Sequence, residues 1–153
     1  MNHKEKAREL FLQGHNCAQS VFAAFCDVTG LDEETALALS SSFGAGMGRM
    51  REVCGACSGM FMVCGMLYGY TDPKDSKLKA EHYALIQKMA EQFKEQNKTV
   101  VCRELLAGIN SDTSPVPEER TETYYKVRPC LKFVETAADI MDNIIAEKDP
   151  EKR

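Results

Sequence analysis

Seven cysteines punctuate this chain, at Cys17, Cys26, Cys54, Cys57, Cys64, Cys102 and Cys130. A deprotonated thiol attacks disulfides and binds soft metals, so where each cysteine falls in its local element decides what it can do. Cys17, Cys54, Cys102 and Cys130 each follow a helix-start signal. Free N–H groups and the positive end of the helix dipole favour an anion at such a place, and basic side chains lie near in sequence: Arg49 and Arg51 before Cys54, Arg103 after Cys102, Arg128 and Lys132 around Cys130. Lowered thiol pKa values are the expectation. Cys54-Gly55-Ala56-Cys57 is a CxxC at a helix start, the spacing of thiol oxidoreductases and of half of many zinc sites. Cys54 is the expected nucleophile, with Cys57, Cys17, Cys102 or Cys130 as the resolving thiol. The same set of four, Cys17, Cys54, Cys102 and Cys130, also suits zinc or an iron–sulfur cluster. Cys54, Cys57 and Cys64 share a helix face with Phe61 and Tyr68 and would line one cleft. Cys26 and Cys64 sit deeper in apolar runs and read as small core residues. His15, two residues before Cys17, is a further ligand or proton acceptor, and no CxxCH is present for covalent haem.

These cysteines need helices to carry them. Residues 3–13 form an amphipathic pattern with Ala7, Leu10 and Phe11 inward, stopped by Gly14. Asn16 caps a second helix from Cys17 to about Val28, and Asp32 a third that runs out at Phe43-Gly44. The loop from Gly44 through Gly46, Gly48 and Arg49 is either a tight packing turn or a cradle for an anion or cofactor phosphate. Eighteen uncharged residues follow, Val53 to Tyr70, the length of a marginal membrane span. Their four glycines, and the absence of a second such run, point instead to a central helix over residues 52–69, buried on all sides. Asp72 and Pro73 start a long helix to about Asn97, Thr99 caps a short one through Cys102, and the last runs from Pro129-Cys130 to about Glu147. Residues 108–123 are rich in Gly, Pro, Ser and charge and read as a surface loop. Tyr124 to Val127 is the only strand candidate. The expectation is an all-α domain, a bundle of about six helices spanning 1–153, with its core in 3–147 and a charged tail at 148–153.

Composition narrows the function. The 153 residues hold 23 acidic and 19 basic side chains without a basic stripe, which excludes phosphate-backbone binding and so nucleic acid. The N-terminus lacks an apolar signal core, so a cytoplasmic, reducing location is expected, where cysteines serve catalysis, sensing or metals more than disulfide frameworks.

Taken in order, Cys17, the segment FGAGMGR followed by VCGACSG, then VVCRELL and Pro129-Cys130 ahead of an amphipathic helix resemble the CGCAxxGCC family of redox-active proteins. The resemblance spans about residues 10–145. It implies that Cys17, Cys54, Cys102 and Cys130 are the recurring cysteines, and that Cys26, Cys57 and Cys64 lie outside the pattern. Family members are commonly encoded beside transporters and oxidoreductases, and a related domain occurs in split-Soret cytochromes. Three functions follow: thiol redox chemistry with a partner protein or small oxidant, a metal or cluster module, or a helical interaction protein, such as a homodimer, whose cysteines are core.

Overall fold

The computed structural model describes residues 2–109 and 111–152. Met1, Asn110 within the predicted loop and Arg153 at the end of the predicted tail lie outside the described residues. Among the described residues nine right-handed α-helices occur: α1 (His3–Leu12), α2 (Cys17–Ala24), α3 (Cys26–Thr29), α4 (Glu33–Ser40), α5 (Gly55–Tyr68), α6 (Ser76–Asn97), α7 (Cys102–Leu105), α8 (Glu122–Val127) and α9 (Cys130–Lys148). The fold is all-α, and among the described residues no strand occurs.

Caps explain most boundaries. Asn2 and Asn16 each accept a backbone N–H three residues on, and Glu5 and Gln19 reach back to complete two capping boxes. Asp32 caps α4 through the Thr35 N–H at 3.0 Å. The predicted second helix breaks at Phe25 into α2 and α3, and Gly30 ends it in the left-handed region.

Four boundaries depart from expectation. The central helix begins at Gly55 rather than 52, because the backbone before it pairs with another segment: Cys102 N–H donates to Glu52 O at 2.6 Å and Cys54 N–H to Val100 O at 2.7 Å. Thr99 does not cap α7; its hydroxyl accepts from Val101 N–H and donates to Glu104. The long helix is capped by Asp75, since Asp72 is spent on a turn with the Lys74 N–H. Tyr124 to Val127 is helical, opened by Thr121, not a strand.

The core lies where α1, α2, α5 and α9 meet, with α5 packed chiefly on α2 and α1 on α9. Phe22, Met60, Met141 and Ile144 are buried there. His3 is fixed: its ring stacks on Phe25 and its two nitrogens meet Asp142 at 2.6 Å and Asp27 at 2.9 Å. Those carboxylates hold its pKa above the ordinary 6.5. Among the described residues no helix is long and apolar enough to cross a membrane.

Burial of α5 is one-ended. Its first half, Gly55 to Met60, is buried, whereas Met66 is 47% exposed and Leu67 and Tyr68 are half-buried, so the expectation of a helix covered on every side fails toward its C-terminus. Met60→Ala should therefore cost about 2–5 kcal/mol, and Met66→Ala no more than about 0.5 kcal/mol, read from denaturant midpoints.

Candidate functional site

Backbone geometry brings the cysteines together. Cys17, Cys102 and Cys130 are the first residues of α2, α7 and α9, and Cys54 is the cap residue of α5. All four line one cavity of about 60 Å³. The pairing of residues 51–54 with 100–103 sets Cys54 beside Cys102. Gly55 lets Cys17 approach: a Cβ there would lie 2.4 Å from the Cys17 sulfur.

The remaining predicted residues divide. Cys57 is fully buried one turn along α5, hydrogen-bonded with the Cys54 thiol but outside the cavity lining. Cys64 lies farther along, in range of Lys148, so the expected common cleft of Cys54, Cys57 and Cys64 does not form. Cys26 sits at the start of α3 among Asp27, Asp32 and Glu33. His15 contributes its carbonyl, which accepts from Arg120 at 3.0 Å.

Between α4 and α5 the chain takes an unusual path. Ala45, Gly46, Met47, Gly48 and Arg49 all have positive φ, from 55° to 73°, and Arg51 does so again at 62°. This is a left-handed turn, a conformation L-residues rarely adopt. At Gly46 a side chain is also excluded by space, since a Cβ would sit 2.7 Å from Arg51 Cα and from Cys102 Cβ. Gly44, Gly48 and Arg49 line a wider cleft of about 270 Å³ that adjoins the cavity.

Four arginines organise this region. Arg49, Arg51 and Arg128 are 9%, 3% and 5% exposed. Arg49 donates to Val116 O at 2.6 Å and pairs with Asp112, and Arg51 Nε donates to Asp112 O at 3.0 Å. Arg128 pairs with Glu118. Arg120 donates to Phe11 O and His15 O while stacking over Phe11 at 4.3 Å and Tyr124 at 5.0 Å. The predicted surface loop is therefore a cap over the cysteines, tied down by guanidinium groups. Arg51 Nη1 lies 3.9 Å from the Cys102 sulfur.

Electrostatics overturns the expectation of acidic thiols. Burial, with the neighbouring thiols adding to it, pushes Cys17 and Cys130 up from 9.0 to about 12. The hydrogen bond with Cys57 and then burial hold Cys54 well above 9.0. Cys102 is also raised by burial, but Arg51 and Arg128 pull it back. The backbone N–H of Ala45, from the left-handed turn, and that of Ala18, at the helix start, do favour the Cys17 anion, yet desolvation outweighs them. The resting site holds thiols, not thiolates, and all seven cysteines are free.

As a metal centre the same residues are not assembled: among the described residues no group of three or more His, Cys, Asp or Glu could hold an ion as it stands. A family model described as "Putative redox-active protein (C_GCAxxG_C_C)" matches residues 15–144. The chain belongs to the C_GCAxxG_C_C family. No curated protein matches it, and no solved structure does. The C_GCAxxG_C_C match takes in the four cavity cysteines, the left-handed turn and the arginine-held cap, and its description attributes redox activity. Sequence reasoning missed Arg120, whose segment PVPEERTET has no periodicity, and Tyr124, which it saw only within the one strand candidate. It saw Arg51 and Arg128 only as neighbours of cysteines.

These shifts have a pH consequence. Cys17 and Cys130 keep, in the folded state, protons that the unfolded chain releases near 9.0, so the folded form binds more protons between about pH 9 and 12 and stability falls as pH rises through that window. Below pH 9 their contribution is intact. Urea midpoints should fall from about pH 9 upward, and less steeply in the Cys17→Ala/Cys130→Ala double variant.

Proposed function

We propose that the cavity performs thiol–disulfide exchange, with Cys102 as the attacking thiolate and Cys54 as the resolving thiol. The observation that carries this is the Arg51 guanidinium 3.9 Å from the Cys102 sulfur, beside a second cysteine. A buried thiol ionises only where a cation compensates the lost solvation. Cys102, though raised by burial, has two such cations in range that pull it back, whereas a hydrogen bond with Cys57 and burial keep Cys54 protonated. Cys54, the nucleophile expected from sequence, is thereby better suited to the second step.

The chemistry balances. The Cys102 thiolate attacks one sulfur of a substrate disulfide, forms a mixed disulfide and expels the other sulfur as a thiolate, which takes up the proton Cys102 released. Cys54 then loses its proton, bonds to the Cys102 sulfur and expels the remaining substrate thiolate. The substrate gains two electrons and two protons, and Cys54 and Cys102 are left as a disulfide that a dithiol reductant reopens.

Convergence of Cys17, Cys54, Cys102 and Cys130 from four separate elements on one cavity also supports a second reading, a zinc or iron–sulfur site with the four sulfurs drawn together around the ion. Mass spectrometry separates the two. Under exchange, Cys102→Ser abolishes reversible oxidation by a disulfide and Cys54→Ser accumulates the mixed disulfide at Cys102. Added mass in the native protein that denaturation releases, lost in any of the four Cys→Ser variants, would assign the cavity to a metal instead.

A further inference from the structure

We infer that the disulfide reduced here is a small one carrying negative charge close to its S–S bond, admitted through the arginine-lined cleft; this rests on the exchange reading above. Size is the first argument. Cys17, Cys54 and Cys102 are 9%, 5% and 7% exposed, and the cavity of about 60 Å³ admits only a few water-sized atoms. A disulfide on short flexible arms reaches Cys102, and one anchored in a folded protein does not.

Charge is the second argument. The outer cleft shares Arg51, Arg120 and Arg128 with the cavity and adds Arg49, while among the described residues Glu118 is its only lining carboxylate. With Asp112 behind Arg49 counted as well, four guanidinium groups face two carboxylates. This excess of positive charge is concentrated on a chain whose net charge is −4, and a basic cleft with low-dielectric walls concentrates anions. Arg49 adds to this: its side chain is 11% exposed, its terminal nitrogens are bonded to Val116 O and Asp112, and its buried Nε has no hydrogen-bond partner. Guanidinium groups lining such a cleft match carboxylate or sulfonate oxygens. Each turnover passes two electrons from the Cys54 and Cys102 thiols to the S–S bond, and its two halves leave as anionic thiols.

Three disulfides of similar size test this on the reduced full-length protein: dithiodiglycolate with two carboxylates, 2-hydroxyethyl disulfide with none, and cystamine with two ammonium groups. The rate of Cys54–Cys102 bond formation is followed by mass, and each rate is divided by that of the same reagent with the urea-denatured chain to remove intrinsic reactivity. The dianion should be fastest and the dication slowest, each step about tenfold or more, with the spread shrinking as salt rises. Arg49→Gln should narrow the spread and Glu118→Gln widen it. Equal normalised rates, or cystamine fastest, would overturn the charge inference while leaving exchange in place. Failure of all three to form the Cys54–Cys102 bond would overturn the exchange reading itself.

Discussion

The left-handed stretch from Ala45 to Arg49 is the constraint on which the site rests. Four non-glycine residues, Ala45, Met47, Arg49 and Arg51, occupy a region that costs each of them about 1–2 kcal/mol. Such strain persists only where its surroundings over-determine it. Here Arg49 N–H donates to Gly44 O, Glu52 N–H donates to Gly46 O, and the two arginine side chains are anchored on Asp112 and Val116. A relaxed right-handed path would carry residues 51–54 away from 100–103, and Cys54 would no longer lie beside Cys102. Helix α5, the cap and the cavity all take their positions from this one reversal.

Burial and helix termini compete at the cysteines, and burial prevails. A helix start offers two or three oriented N–H groups, but assembling four thiols under a cap removes the water that would solvate an anion. Proximity adds to this, because neighbouring thiols raise Cys17, Cys102 and Cys130 further. The guanidinium groups break that symmetry. Arg51 touches Cys102 alone among the four, so one sulfur is distinguished from three otherwise similar ones. Under the exchange reading, the arginines would decide which cysteine reacts, and the cysteines what the cavity can do.

Much of the helical framework was readable in the residues. Asn16, Asp32 and Pro129 mark boundaries through side-chain hydrogen bonding or fixed φ, effects local enough to survive folding, and three of the four cavity cysteines do stand at first helical positions. Long-range effects were not readable. Nothing near Val53 announces that its backbone pairs with Val101, and that pairing shortens α5 and displaces the Thr99 cap. The segment 108–123 has the composition of solvent-facing chain, and its outer surface is indeed exposed, but its role as a cap depends on arginines 50 or more residues earlier in the chain. The thiol pKa values were misjudged for the same reason, since desolvation is a property of the assembled cavity rather than of any helix start.

Separation along the chain gives the cavity one more property. A bond between Cys54 and Cys57 would close a loop of four residues and remove little freedom from the unfolded chain, about 2 kcal/mol by loop-closure entropy. One between Cys54 and Cys102 would fasten a loop of 49 residues counted from one cysteine to the other, worth about 4 kcal/mol. The difference, about 2 kcal/mol, corresponds to roughly 40 mV for a two-electron couple. Oxidation across the cavity would thus turn chemical potential into chain constraint. The oxidised protein would be harder to unfold than the reduced one, and its conformational stability would report the redox state of its surroundings.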